Sequence, residues 1–174
     1  MSQKILAISG SLRAGSSNHA ILRFLSTMAP ESVSFNIYNN LVQIPPFDPG
    51  IDHELPPEAV VELRNLIKDP DGIIICTPEY AYGVPGQLKN ALDWTVSTGS
   101  LVDKPLGLIT ASTGGENAHT ALLLILGVLS ANVLKDATML ISFIRSKMDG
   151  EENITDEKTR ESLIAGFNAL LNVL

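Results

Sequence analysis

Five short apolar segments recur along this chain of 174 residues, and each is followed by a stretch whose apolar residues have helical spacing. The third segment, residues 73–76, is rich in β-branched side chains, as is typical of a strand buried on both faces. Alternating strands and helices predict an α/β fold with a doubly wound parallel sheet and helices on both faces. In such a sheet, ligands bind beyond the carboxyl ends of the strands. The predicted strands are residues 5–9, 33–38, 73–76, 106–110 and 138–143.

One predicted helix is unusual, because residues 121–129 are apolar nearly all the way round. A helix with one solvated face has a narrower apolar stripe, so we predict that part of this helix is buried against another subunit. The five predicted helices begin near Asn18, at Pro56, after Gly86, after Gly115 and at Ile154, the last with Thr155 as its N-cap.

The loop at residues 10–18 follows the first predicted strand directly and leads into a predicted helix. Its glycines, Gly10 and Gly15, can adopt backbone angles that other residues avoid, which lets several N–H groups converge on one anion. The following helix adds roughly half a positive charge at its N-terminus. The loop therefore predicts a phosphate site, with an ordinary glycine-serine turn as the alternative. Its side-chain donors are Ser11, Arg13, Ser16 and Ser17.

Two common phosphate loops are excluded by the sequence. Gly10 and Gly15 have the spacing of the Walker loop, but Ser16 stands where that loop requires lysine. Residues 11–13 break the glycine pattern of the dinucleotide fingerprint. With neither a lysine nor a nearby acid to hold a metal, the loop favours a monophosphate bound without magnesium.

Two further loops follow the third and fourth predicted strands and should converge on the same crevice. Residues 77–86 combine rigid backbone with the flat side chains of Tyr80 and Tyr82, which suits a planar heterocycle. The small residues at 112–115 let the backbone approach its other edge. The alternatives are a structural turn with two surface tyrosines and, for Glu79, a solvated carboxylate.

Composition excludes several classes of partner. A net charge of −7 argues against nucleic acid, since there is no basic stripe. No apolar run is long enough to cross a bilayer, and the first residues do not resemble a secretory signal. The single cysteine, Cys76, suits a reducing compartment. We therefore expect one cytoplasmic domain over residues 1–174. No metal site is predicted, because the spacing of His19, His53 and His119 does not match a ligand set.

Four motifs carry a resemblance to a known family: Gly-Ser-Leu-Arg at 10–13, followed by Ser16 and Asn18; Thr-Pro-Glu-Tyr at 77–80; Gly-Val-Pro-Gly at 83–86; and Lys-Asn-Ala-Leu-Asp-Trp at 89–94. With them the sequence resembles the flavodoxin-like NADPH-dependent FMN reductases, which include flavin, quinone, azo-dye and chromate reductases. The resemblance implies strand order 2-1-3-4-5, non-covalent FMN, and dimers or tetramers.

The resemblance also implies which residues contact FMN. Many members have asparagine where this chain has Ala81, and residues 116–119 lack the Gly-Gly-x-Arg pattern of several relatives. The implied phosphate ligands are Ser11, Arg13, Ser16, Ser17 and Asn18; Pro78, Glu79, Tyr80 and Ala81 line the ring; and Ser112, Thr113 and Gly114 contact its far edge.

The predicted activity is a ping-pong cycle. NADPH or NADH passes hydride to the flavin, the oxidised nicotinamide leaves, and an acceptor such as a quinone, free flavin or azo compound then binds in its place. Backbone N–H groups at residues 79–81 are expected to stabilise charge on the ring. No residue is predicted to act as an obligatory acid or base, because the cofactor carries the reactivity. The alternative is a flavodoxin-like electron carrier without NAD(P)H turnover, which the acidic charge permits. A hydrolase is excluded, since no Gly-x-Ser-x-Gly follows a strand.

Overall fold

The predicted strands form one five-stranded parallel sheet with the order 2-1-3-4-5 in the computed structural model, which describes residues 3–174. This topology confirms the flavodoxin-like fold. The strands are β1 (Gln3–Ser9), β2 (Val33–Tyr38), β3 (Gly72–Thr77), β4 (Pro105–Ala111) and β5 (Asn132–Ile141). The helices are α1 (Ser17–Met28), α2 (Glu58–Lys68), α3 (Gly86–Asp93), α4 (Glu116–Val128) and α5 (Glu157–Leu171), with short 3-10 turns at Leu41–Gln43, Val96–Thr98 and Ile144–Lys147.

The sheet separates two hydrophobic layers. Alternate side chains of β3 point to opposite faces, so Ile73 and Ile75 enter one layer and Ile74 enters the other. Helices α2, α3 and α4 cover the first layer, and α1 and α5 cover the second. All six residues of β3 are buried, which confirms its predicted central position. Within residues 3–174, no helix combines the length and the apolarity that crossing a bilayer requires.

The fifth strand begins earlier than predicted. It starts at Asn132 rather than at residue 138. Its first part pairs with β4 at Leu106, and an irregularity in the pairing separates this part from the section that begins at Thr138, the partner of Leu108. Polar Lys135 and Asp136 lie in this irregular part and hide the strand pattern in the sequence. The strand ends at Ile141 rather than at residue 143.

The last helix is shorter than predicted. It begins at Glu157, and Asp156 rather than Thr155 is its N-cap, with the Asp156 carboxylate accepting from the Thr159 N–H at 2.9 Å. Thr155 instead donates its N–H to the Lys147 carbonyl at 2.8 Å. The helix ends at Leu171, three residues before the predicted end.

The long connection between β2 and α2 is held by one face of α3. The side-chain amide of Asn90 donates to the Pro45 carbonyl and accepts from the Phe47 N–H, both at 2.8 Å. The Trp94 indole N–H also donates to Pro45, and its ring packs edge-on against Phe47 with 5.0 Å between centroids. Gln87, one turn earlier, donates to two further loop carbonyls. Asn90 and Trp94 of the Lys-Asn-Ala-Leu-Asp-Trp motif, together with Gln87, therefore order this loop.

A buried ion pair fixes the other end of the same connection. The Arg64 guanidinium pairs with the Asp52 carboxylate, and the two side chains are only 11% and 6% exposed. Arg64 also donates to the Trp94 carbonyl at 2.6 and 2.8 Å and to the Ser97 hydroxyl at 3.2 Å. These bonds join the loop, α2 and the end of α3.

Candidate active site

Loops at the carboxyl ends of the strands enclose a cavity of 330 Å³, within the range of small-molecule sites. Ten of the twelve predicted site residues line it, and Ala81 and Gly114 do not. The lining also includes three residues that the sequence did not predict. The whole wall consists of Ser11, Arg13, Ser16, Ser17, Asn18, Pro78, Glu79, Tyr80, Ala111, Ser112, Thr113, Ile144 and Arg145.

The two glycines of the first loop are required for different reasons. Gly15 has a φ of +67°, in the left-handed region that was expected of it. Gly10 lies outside that region, but a Cβ there would lie 2.2 Å from the Thr77 Oγ1 and 2.9 Å from the Leu88 Cδ2. The expectation of an unusual backbone angle at Gly10 is therefore wrong. This position is glycine because strand β3 and helix α3 leave no room for a side chain.

The N-terminus of α1 faces this loop. The N–H groups of Ser17 and Asn18, in its first turn, have no acceptor in the part of the chain that the structure describes. Ser16 is the N-cap, and its hydroxyl accepts from the His19 N–H at 3.2 Å. Free N–H groups and the helix dipole together make this end a favourable place for an anion.

The Ser16 hydroxyl is engaged by a hydrogen-bond chain within the protein. The His19 Nε2 lies 3.1 Å from the Asn39 Oδ1, which can only accept, so the ring proton is on Nε2. The His19 Nδ1 must then accept, and the Ser16 hydroxyl donates to it at 3.0 Å. In this tautomer the Ser16 hydroxyl bonds His19 twice, donating to its Nδ1 and accepting from its N–H.

Asn18 is also engaged within the protein. Its side-chain amide donates to the Ala111 carbonyl and accepts from the Cys76 thiol, each at 3.3 Å, and the residue is only 3% exposed. These bonds tie α1 to the ends of β3 and β4, and one amide hydrogen remains for a ligand. Burial raises the pKa of the Cys76 thiol, so this cysteine is a neutral packing group.

Two of the three backbone donors predicted to face the ring are already used within the protein. The Glu79 N–H donates to the Ser112 hydroxyl at 3.2 Å, and the Tyr80 N–H donates to the Gly83 carbonyl at 3.1 Å. Of the three N–H groups predicted to face the ring, only that of Ala81 lacks an acceptor among residues 3–174.

Position 81 lies in a tight turn that favours asparagine, the residue that the family resemblance implies for many relatives. Ala81 and Tyr82 have φ values of +48° and +58°, and two hydrogen bonds between Tyr80 and Gly83 close the turn. Two successive left-handed residues define a type I′ turn, which prefers Asn and Gly. The Ala81 side chain is exposed, and the residue lies outside the cavity wall.

Replacing Ala81 with asparagine is expected to stabilise the protein by about 0.5–1 kcal/mol, because asparagine adopts the left-handed conformation at lower cost. Urea unfolding of the cofactor-free protein measures this gain. Ala81→Val is the matched opposite change and is expected to destabilise, since a β-branched residue is strained at this φ. Equal midpoints for the three proteins would contradict this account of the turn.

Glu79 is half-buried rather than a solvated carboxylate. Its Oε2 accepts from the Ala118 N–H at 2.8 Å, in the first turn of α4. Helix α4 has no side-chain cap of its own, because its N-cap residue is Gly115. Glu79 supplies that cap from another loop. Gly114 lies next to the Glu79 carboxylate, since a Cβ on Gly114 would lie 3.8 Å from the Glu79 Oε1.

Tyr80 lines the cavity and Tyr82 follows it in the turn, outside the wall. Tyr80 is 53% exposed and Tyr82 is 83% exposed. The Tyr80 hydroxyl lies 3.4 Å from the Ser11 hydroxyl, which connects the second loop to the first. One side of the cavity is therefore accessible to solvent.

Ala111, Ile144 and Arg145 are the wall residues that sequence reasoning missed. Ile144 and Arg145 belong to the 3-10 turn directly after β5, whose position the sequence misjudged. The available signal was the pair of cations, Arg145 and Lys147, following a strand end.

The histidines have structural surroundings. The His119 Nδ1 lies 2.8 Å from the Thr110 hydroxyl, and burial lowers the pKa of this imidazole, which favours its neutral form. His53 is exposed. Across residues 3–174, no group of three or more histidine, cysteine, aspartate or glutamate side chains is arranged to hold a metal ion.

Comparison with known proteins gives a consistent result. A family model described as NADPH-dependent FMN reductase matches residues 3–145. The quinone reductase of Escherichia coli (strain K12) is 35% identical over 178 residues, covering 97% of this chain and 95% of that protein. A 2-hydroxy-1,4-benzoquinone reductase from a Burkholderia species is 34% identical, covering 94% of this chain and 91% of that protein.

Solved structures agree with the fold. The flavoenzyme NAD(P)H:(acceptor) oxidoreductase FerB from Paracoccus denitrificans superposes with a TM-score of 0.82 at 26% identity. The match covers 98% of this chain and 96% of that one.

Proposed function

The chain belongs to the NADPH-dependent FMN reductase family, and on that basis we propose that it passes electrons from NADPH or NADH through FMN to a quinone or free flavin. It is an oxidoreductase whose cofactor is FMN and whose co-substrate is NAD(P)H. The observation that carries the proposed site is the convergence of three strand-end loops on one cavity. The whole chain is proposed to act as one FMN-binding domain in the cytoplasm.

The cavity residues fit FMN at both ends. At one end, Arg13, Ser11, Ser17 and the first N–H groups of α1 form a donor set without a free carboxylate, which suits a phosphate monoester. At the other end, residues 78–80 and 112–113 form one continuous wall, joined by the bond from the Glu79 N–H to the Ser112 hydroxyl, and the flat ring is proposed to lie against it. The predicted ligands Ser16 and Asn18 are proposed to hold the shape of the loop, with Asn18 keeping one amide hydrogen for the ligand.

FMN, when bound, supplies the hydride chemistry, and the protein supplies placement. The Ala81 N–H is the backbone donor proposed to reach the ring, because the neighbouring N–H groups already bond Ser112 and Gly83. Because Tyr80 and Tyr82 are exposed, the side of the cavity next to them is open to solvent. We propose that NAD(P)H and the acceptor approach the flavin ring from this side, one after the other. No side chain is proposed as an acid or base.

Absorbance measurements test this function. The purified protein, or the protein supplied with FMN, is expected to show flavin absorbance, and anaerobic NADPH or NADH should bleach it. Adding a quinone such as menadione should restore the colour, and initial rates against the two substrates should give parallel double-reciprocal lines. Stable absorbance with both nicotinamides would favour the electron carrier instead.

Replacing Arg13 with alanine is expected to weaken FMN binding by roughly 10- to 100-fold. A hydrogen bond to a charged group contributes about 1.5–3 kcal/mol, and Arg13 is proposed to bind the phosphate. Fluorescence titration of FMN measures the dissociation constant. Lys158→Ala removes the same charge on α5, outside the cavity, and serves as the control. Unchanged affinity in Arg13→Ala would remove Arg13 from the site.

We also propose that the protein is a homodimer or homotetramer. Leu122 and Leu126 of α4 pack into the core, but Leu124 and Val128 are 69% and 82% exposed. They border an apolar groove of 230 Å³ between α3 and α4. A patch of this kind suits a second copy of the chain. Light scattering at micromolar concentration is expected to give a dimer or tetramer, and a monomer would contradict this proposal.

A further inference from the structure

Arg145 belongs to the cavity wall, yet the FMN contacts proposed so far make no use of it. We propose that Arg145 is a second guanidinium ligand of the FMN phosphate, acting together with Arg13. This inference rests on the proposed FMN site and concerns its phosphate end.

The turn that carries Arg145 is fixed to the wall of the cavity. The Phe143 N–H donates to the Thr113 carbonyl and the Ile144 N–H donates to the Ser112 carbonyl, both at 3.1 Å. Ile144 is only 3% exposed, so its side chain anchors the turn in the core. Phe143 has a φ of +54°, an unfavourable conformation for a bulky residue that the surrounding bonds impose. The backbone of Arg145 is therefore held beside the cavity although its side chain is exposed.

The same segment runs beside the start of α1, where the phosphate is proposed to bind. Asn18, in the first turn of α1, donates to the Ala111 carbonyl, and the next residue, Ser112, accepts from the Ile144 N–H. Farther along, Glu152 pairs with Arg23 of α1, and its Oε1 would lie 2.5 Å from a Cβ on Gly15. The segment therefore connects the ring-end residues 112–113 to the loop at the start of α1, and the Arg145 side chain is proposed to extend from it toward the phosphate.

The charge of the ligand favours a second cation. A phosphate monoester carries about −1.5 to −2 at neutral pH, whereas Arg13 and the α1 N-terminus supply roughly +1.5. Neither Arg13 nor Arg145 forms an ion pair within residues 3–174. Glu79, the carboxylate of the wall, already accepts from the Ala118 N–H. Both guanidinium groups are therefore available, and their planar donor geometry matches phosphate oxygens.

The test compares FMN with riboflavin, which has the same ring but no phosphate. In Arg145→Gln, the dissociation constant of FMN should rise about tenfold or more, while that of riboflavin should stay unchanged. Arg145→Lys should lie between the two, because it keeps the charge but loses the paired donors. Flavin fluorescence quenching measures both ligands, and riboflavin binding also reports that the variant is folded.

Lys147→Gln is the matched control, because it removes the same charge two residues along, outside the cavity wall. It should leave both dissociation constants unchanged.

An equal loss for FMN and riboflavin in Arg145→Gln would overturn the proposal, since the effect would then act through the ring or the loop. Unchanged FMN binding would also overturn it, and a raised KM for NADPH but not NADH would then assign Arg145 to the co-substrate. If the unaltered protein binds neither flavin, the proposed function itself fails.

Discussion

Replacing Gly10 with alanine is expected to destabilise the protein by about 2–3 kcal/mol and to weaken FMN binding by at least tenfold. The added methyl group would lie 2.2 Å from the Thr77 Oγ1 and 2.7 Å from its Cβ, and Thr77 is fully buried. Inserting a methyl group into a packed site typically costs about 1–3 kcal/mol, and here the nearest atoms belong to a rigid β-branched residue. The strain is relieved most easily by moving the loop that is proposed to hold the phosphate.

Chemical denaturation and FMN titration of the same samples measure the two effects. Gly127→Ala is the matched control, because nothing lies within 4 Å of the position that its Cβ would take in α4. Alanine there should be neutral or stabilise by up to about 1 kcal/mol, since it is a better helix former than glycine. A Gly10→Ala protein with unchanged stability and affinity would show that the loop packs more loosely than described.

Replacing Asp52 with alanine is expected to destabilise the protein by about 3 kcal/mol or more. The change leaves the Arg64 guanidinium, which is 11% exposed, without its counter-ion. Removing one partner of a buried pair typically costs about 3–5 kcal/mol, because the remaining charge is uncompensated. Urea unfolding measures the loss. The double variant Asp52→Leu/Arg64→Met should recover much of it, and a double variant as unstable as the sum of both single variants would contradict the pairing.

The same pair predicts the pH dependence of stability. Burial opposes ionisation of Asp52, but hydrogen bonds from Ser97 and Arg64 outweigh it and hold the pKa of this carboxyl below its ordinary value of 3.8. A lowered folded-state pKa stabilises the protein above the unfolded-state pKa, and this stabilisation is lost as the pH falls through the folded-state value. The stability difference between the unaltered protein and Asp52→Ala should therefore be constant above about pH 5 and shrink in more acidic solution.

Much of the fold and of the site follows from local sequence patterns. The β-branched run at 73–76 predicted the central strand, and strand ends followed by glycine-rich loops predicted that three loops converge on one crevice. These predictions succeeded because burial on both faces and turn chemistry leave strong local signals.

Other features depend on contacts between distant residues, which a sequence pattern does not reveal. Gly10 is required by the packing of Thr77 and Leu88. The Ser16 hydroxyl is hydrogen-bonded to the His19 ring, whose other nitrogen bonds Asn39. Glu79 caps a helix that begins 37 residues later in the chain. Arg145 was missed because the turn after β5 is held at the cavity by backbone bonds to Ser112 and Thr113, residues about 30 positions earlier in the chain.

The attachment of the β2–α2 connection to α3 has a consequence for local opening. A surface loop of this length ordinarily exchanges its amide hydrogens independently of the elements around it. Here the Phe47 N–H bonds the Asn90 side chain of α3, so we expect it to become accessible only when the loop separates from that helix. Its deuterium uptake should therefore keep pace with that of the helix, and a protease should find the segment resistant until both open together.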